Sequence, residues 1–205
     1  MKIVRRAVGP VILVLALGPG IFTQPAQDPS SAKSFAPSAF KDLATIPADV
    51  TSYGGIFLRA RINGSQPMWF VLDSGASSPF VIDSRSARSL RLRTHNRESR
   101  AGGAGPAVYE VARTNPLNIS LGGLKYEGQT ADVISLASIE VQIGRRLDGI
   151  VGLDLFTRYV VEIDYVTNEI RLHDPLTYTY SGAGESIALT LRDGHFFVPA
   201  KIQMP

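Results

Sequence analysis

The chain of 205 residues contains no cysteine. That excludes disulfides, thiolate-held zinc, a cysteine nucleophile and a lipid-modified N-terminal cysteine, and it leaves the redox compartment open. Histidine is almost as scarce. His95, His173 and His195 stand far apart, without the short spacings of a metal-ligand set, and read as surface or turn residues. No metal site and no cofactor are implied. Ser74, Ser77 and Ser78 do not make a serine hydrolase, because no histidine is placed in a nucleophile motif. No apolar run is long enough to span a bilayer comfortably.

What is present begins with an N-terminal address. Lys2, Arg5 and Arg6 precede the apolar run from Val11 to Leu17, and Gly18-Pro19-Gly20 ends it. This is the order of a secretory signal peptide, taken here as residues 1–26, and it predicts a secreted or periplasmic protein. Membrane attachment is expected only if the segment stays uncleaved. The net charge of +3 rests on those three basic residues, so the mature chain is close to neutral and its basic pI is no sign of nucleic acid. A local cluster remains at Arg85, Arg88, Arg91, Arg93, Arg97 and Arg100. It reads either as the solvated face of a short helix and following loop, or as a contact for an acidic substrate or domain partner.

Residues 27–52 are rich in Pro, Ala and Ser without a sustained period and read as a flexible tether. From Tyr53 the pattern is mostly β. Ile56, Leu58, Ala60 and Ile62 alternate with Phe57, Arg59 and Arg61, and Asn63-Gly64 signals a hairpin into a strand ending at Leu72. Leu117, Ile119 and Leu121 alternate likewise. Further strands fit 133–134, 161–165, 170–172 and 187–191. Asp83 is placed to cap a short helix reaching about Leu92, and another helix fits after Asp154. Short strands with Gly, Asn and Pro turns indicate an all-β barrel or sandwich. The segment from Phe57 to Ile62 is echoed by Phe197 to Ile202, with Gly54 and Gly194 upstream, either as an internal repeat or as two unrelated amphipathic strands.

The most informative stretch is Met68-Trp69-Phe70-Val71-Leu72-Asp73-Ser74-Gly75-Ala76-Ser77. Five bulky apolar residues read as a strand buried on both faces, and the small residues after it let backbone or a ligand come close to Asp73. A carboxylate in that setting is paired or at work. Arg100-Ala101-Gly102-Gly103-Ala104-Gly105-Pro106 reads as a mobile loop. A phosphate cradle there would want a following helix, whereas Val108 to Val111 reads as strand.

Val71 to Ala76, then Gly102-Gly103-Ala104-Gly105, then Ile150-Val151-Gly152 resemble, in that order, the parts of the pepsin and retropepsin superfamily of aspartic proteases. They are most similar to the secreted bacterial retropepsin-type enzymes. The resemblance covers about Tyr53 to Pro175, including Asp164-Tyr165 and the strand from Glu169 to Leu172. It implies an all-β, closed acid-protease barrel lobe over 53–176 with one or two short helices. Residues 177–205 would then be a linker and the first strand of a second lobe.

The same resemblance implies a dyad of two carboxylates that share a proton because they cannot both ionise cheaply. Asp73 supplies one, and a second copy of the chain or a following lobe supplies the other. Ser74, Gly75 and Ala76 support the catalytic loop. Gly102, Gly103, Ala104 and Gly105 form the flap that closes over a polypeptide substrate, and Ile150, Val151 and Gly152 form the scaffold loop behind the site. Asp148, beside that loop, is structural by this resemblance. The other reading is a peptide-binding lobe without catalysis of its own.

Overall fold

The computed structural model describes residues 12–15, 43–51, 54–102, 108–182 and 184–201. Among these the chain is dominated by one continuous sheet that curls on itself. Its strands are β1 (Ile12–Leu15), β2 (Ala44–Val50), β3 (Ile56–Ile62), β4 (Met68–Leu72), β5 (Phe80–Asp83), β6 (Thr94–Gly102), β7 (Val108–Thr114), β8 (Leu117–Leu121), β9 (Leu124–Gln129), β10 (Asp132–Ile134), β11 (Gly149–Val151), β12 (Val160–Asp164) and β13 (Glu169–His173). Three short helices interrupt them: α1 (Ser84–Ser89), α2 (Ala137–Ile143) and α3 (Leu153–Arg158). The main path runs β1-β12-β13-β2-β3-β4-β11-β5-β10-β7-β6, with β8 branching from β3 and carrying β9. The expected all-β class is observed among the described residues, with three short helices where one or two were expected.

Alternation makes the sheet two-sided. On β3, Ile56, Leu58, Ala60 and Ile62 enter the main core with Phe70, Ile119, Leu121, Val161 and Ile170. Each of the larger of these side chains, fully buried, stabilises the fold by roughly 1.5–3 kcal/mol, and Ala60 by less. Phe57 points the other way and builds a second cluster with Val81, Leu136, Leu147 and Ile150, over which Ile139 and Ile143 of α2 pack. β4 serves both clusters: Phe70 faces the main core, while Trp69 and Val71 join the second. Its unbroken apolar run has this cause, although only Phe70 is fully buried and its neighbours are half-buried.

Asn63 and Gly64 both have positive φ, 47° and 76°, in the turn between β3 and β4. The Ser65 N–H donates to Ile62 O at 2.9 Å across them, closing the tight turn that positive φ at both central residues makes, inside a longer connection to β4. Asp83 caps α1 by accepting from the Arg85 N–H, and the helix ends at Leu90, slightly short of the expected limit.

Several expectations need correction. The segment read as tether contains β2, because Ala44, Ile46 and Ala48 alternate inward and β2 bridges β13 and β3. Pro47 had disguised this strand. Part of the apolar run read as leader, Ile12–Leu15, lies antiparallel along β12. Residues 94–102, read as loop, are β6. The strand expected at 187–191 shrinks to β14 (Thr190–Arg192), which forms a separate exposed hairpin with β15 (His195–Phe197). The echo of β3 therefore leaves the strand state after Phe197, where Pro199 brings no backbone donor. His173 is buried rather than superficial, and its Nε2 meets Glu162 at 2.9 Å.

Candidate active site

β4 and β5 are not neighbours in the sheet: β11 runs between them, parallel to β4 and antiparallel to β5. The loop 73–79 that joins β4 to β5 must therefore cross the end of β11. Backbone hydrogen bonds fix that crossing. Asp73 N–H donates to Val151 O at 2.9 Å, Gly152 N–H to Pro79 O at 2.9 Å, and Leu153 N–H to Ala76 O at 2.8 Å. Ile150 and Val151 are buried strand residues, and Gly152 is the point of contact. A Cβ on Gly152 would lie 1.9 Å from Ser78 O and 2.6 Å from Ala76 O, so no side chain fits there.

Within the loop, Gly75 N–H donates to Asp73 Oδ1 at 2.8 Å, and Ala76 N–H to Asp73 O at 3.2 Å. A Cβ on Gly75 would stand 3.1 Å from the same Oδ1, so glycine lets the amide approach the carboxylate. Asp73 is exposed, not buried as its apolar approach strand suggested. Ser74 is half-buried, and its hydroxyl has no hydrogen-bond partner among the described residues. The carboxylate and the hydroxyl are thus presented outward by a loop whose backbone is tied down behind them.

Ser78 closes that loop. Its hydroxyl donates to Asp132 Oδ2, and Asp132 Oδ1 takes Nε and Nη2 of Arg113 at 2.9 and 2.6 Å. Arg113 belongs to β7, which pairs with β6 to form the hairpin expected to carry the flap. Gly102 is the last residue of β6, opposite Val108. Gly103, Ala104 and Gly105 lie outside the described residues. The Ser78-Asp132-Arg113 link escaped the sequence reading, since nothing in the linear pattern joins positions 54 apart.

The other acidic residues near the 150–152 turn are held by the scaffold. Asp148 Oδ2 accepts the Trp69 N–H at 2.9 Å, and its Oδ1 accepts the Ser86 hydroxyl at 2.8 Å. Asp154 pairs with Arg158 on its own helix. Asp83 shows the same use of carboxylates: burial alone would raise its pKa, but the Leu136 N–H and Arg85 hold it below the usual range. Among the described residues no group of His, Asp and Glu side chains is arranged to hold a metal ion.

Residues 58–155 match the family model described as Aspartyl protease. That span contains Asp73, the hairpin β6–β7 and the Ile150-Val151-Gly152 turn. Among solved structures, a retropepsin-like aspartic protease from Rickettsia conorii aligns at 16% identity and TM-score 0.43, covering 63% of this chain and 89% of that one. The EIAV protease, solved with an inhibitor, aligns at 20% identity and TM-score 0.36, covering 48% and 97%. An aspartic proteinase from Irpex lacteus aligns at 16% identity and TM-score 0.37, covering 68% of this chain and 49% of that one. No curated protein matches the chain.

Proposed function

We propose that the lobe is one half of an aspartic endopeptidase, with Asp73 as its catalytic carboxylate. The observation that carries this reading is the geometry of the 73–79 loop. A backbone fixed at Val151, Gly152 and Leu153 presents one exposed carboxylate, oriented by the Gly75 N–H, beside a Ser74 hydroxyl without a partner among the described residues. A second carboxylate brought opposite Asp73 shares a proton with it. One member of the pair then deprotonates the attacking water while the other protonates the peptide carbonyl oxygen. The hairpin β6–β7 closes over bound polypeptide, excluding water and orienting the scissile bond.

The second carboxylate comes from a second copy of the chain or from a following lobe. One feature supports the lobe. The hairpins β2–β3 and β14–β15 each turn through a glycine of positive φ, Gly54 at 82° and Gly194 at 73°, just ahead of the echoed segment. Export through the N-terminal segment places the enzyme outside the cytoplasm, and N-terminal sequencing of the protein recovered from the host tests that.

The function is tested by Asp73→Asn in a preparation that cleaves peptide. Loss of activity by about 10²–10⁴-fold is expected from removing a general base, and unchanged cleavage overturns the assignment. Sedimentation at micromolar concentration separates the sources of the partner. An active, strictly monomeric 205-residue chain would reject the shared dyad altogether.

A further inference from the structure

Three arginines stand apart from the rest. Arg59 and Arg61 bond to backbone carbonyls, Arg85, Arg113, Arg145, Arg146, Arg158 and Arg171 pair with carboxylates, and Arg192 stacks on Phe197. Arg88, Arg91 and Arg93 are exposed and have no partner among the described residues. Arg88 stands in the last turn of α1, and Arg91 and Arg93 follow its end. The side chains of Arg97 and Arg100 lie outside the described residues; with the remaining described arginines engaged and the net charge beyond residue 26 near zero, this is a local excess of positive charge rather than a general basicity.

Two of them, Arg91 and Arg93, border a cleft of about 310 Å³ between the loop after α1, the β3–β4 turn at Asn63 and the β7–β8 turn. Arg91 and Arg93 supply its charge, and Leu92, Pro116 and Leu117 supply apolar wall. No acidic residue lines it. The loop is held on both sides: Leu92 N–H donates to Ala87 O at 3.0 Å, and Asn115 N–H donates to Arg93 O at 2.9 Å. Arg91 sits in the left-handed region at φ 51°, a conformation that an arginine adopts only where its surroundings impose it. The cations are therefore carried on a fixed loop, which lowers the ordering cost of binding.

The cleft lies at the opposite end of β4 from Asp73, since Asn63 precedes that strand and Asp73 follows it. Five residues of strand put the two about 17 Å apart at roughly 3.3 Å per residue. A ligand seated at the arginines leaves the catalytic loop uncovered.

We propose that this cleft is a docking site for an acidic segment of a polypeptide substrate, with carboxylates on Arg91 and Arg93 and apolar side chains against Leu92, Pro116 and Leu117. The mixed lining selects this occupant. Phosphate or a polyanion would use the cations but leave the apolar wall without a complement, whereas a peptide of alternating acidic and apolar residues uses both. The idea rests on the peptidase reading for the word substrate. An extended chain reaching both places carries its acidic segment at least about five residues from the scissile bond.

The test is anisotropy of two fluorescein-labelled decapeptides, one alternating Glu and Leu and one alternating Gln and Leu, titrated with the full chain and with Arg91→Glu/Arg93→Glu. The Glu peptide is expected to bind the native chain at least tenfold more tightly than the Gln peptide, with the advantage shrinking as salt rises. The double variant is expected to lose that advantage while turnover of a short neutral peptide stays unchanged. Arg93→Glu alone, which spares the left-handed position and should lower the advantage in part, covers the case in which the first variant fails to fold.

Equal binding of the two peptides, or an advantage undiminished in both variants, overturns the proposal. So does a heparin oligosaccharide of equal charge that binds as tightly as the Glu peptide. Because anisotropy needs no turnover, absence of cleavage in every preparation counts against the peptidase reading alone.

Discussion

The Ser78 hydroxyl donates to Oδ2 of Asp132, and the other oxygen of that carboxylate holds the Arg113 guanidinium. One buried acid thus ties the end of the 73–79 loop to the root of the β6–β7 hairpin. Ser78→Ala removes the first tie and leaves the ion pair. The expected stability loss is about 2 kcal/mol for one hydrogen bond to a charged group, or a melting temperature lower by about 4–8 °C in a chain of this size. Peptide turnover should fall by more than that loss explains, through kcat rather than KM, and Ser78→Thr should restore it. Native kcat in the alanine variant would leave the contact a matter of folding only.

Gly152 offers a sharper mechanical test. A methyl group there meets Ser78 O at 1.9 Å and Ala76 O at 2.6 Å, both backbone atoms that cannot rotate away. Gly152→Ala must therefore push the 73–79 loop off β11 and break the Gly152-to-Pro79 and Leu153-to-Ala76 hydrogen bonds. Overpacking of this kind costs about 3 kcal/mol. Chemical denaturation should read that loss, and activity should be absent even where the variant remains folded. A variant of native stability and native activity would mean that the loop does not cross β11 as described.

Much of this arrangement was legible in the sequence because local patterning and tertiary packing agree. The alternation on β3, the Asn63-Gly64 turn and the Asp83 cap each act within a few residues, and each element formed where its pattern placed it. β2 was missed because Pro47 and small alanines mask its alternation; its place is settled by β13 and β3, which are remote in sequence. α2 was missed because Ala137–Ile143 lacks a capping side chain and buries none of its residues fully. The motif at Asp73 gave the turn but not its exposure. That depends on what covers the loop, which no local pattern encodes. The same holds for Ser78 and Asp132, whose pairing follows from the parallel register of β10 and β5.

Asp148 and Asp73 should respond in opposite ways to substitution. Asp148 is buried and accepts from the Trp69 N–H and the Ser86 hydroxyl, so Asp148→Ala strands two donors at about 1–3 kcal/mol each. Asp73 is exposed and its carboxylate accepts only from the Gly75 N–H among the described residues, so Asp73→Asn should leave the melting temperature within about 2 °C of native. Thermal melts of the two variants side by side check this. A strongly destabilised Asp73→Asn would make that carboxylate part of the scaffold.

Stability against acid should reside in a small set of engaged carboxylates. Glu162 is held below the usual range first by the hydrogen bond from His173 and then by Arg171, against the upward push of burial. In Asp83 and Asp164 burial is the largest influence and acts upward. It is outweighed by the Leu136 N–H and Arg85 in the first case, and by the Thr167 and Val166 N–H groups in the second. A carboxyl with a lowered folded pKa contributes stability that is fully present above its unfolded value, near pH 4, and is lost as pH falls through the folded one. The melting temperature should therefore decline most steeply below about pH 4. Asp83→Asn should lower the plateau at pH 6 by about 2 kcal/mol, the worth of a charged hydrogen bond, and reduce the slope below pH 4. Melting curves from pH 2.5 to 6 give both quantities, and equal slopes in the native chain and the variant would show that Asp83 has no part in acid unfolding.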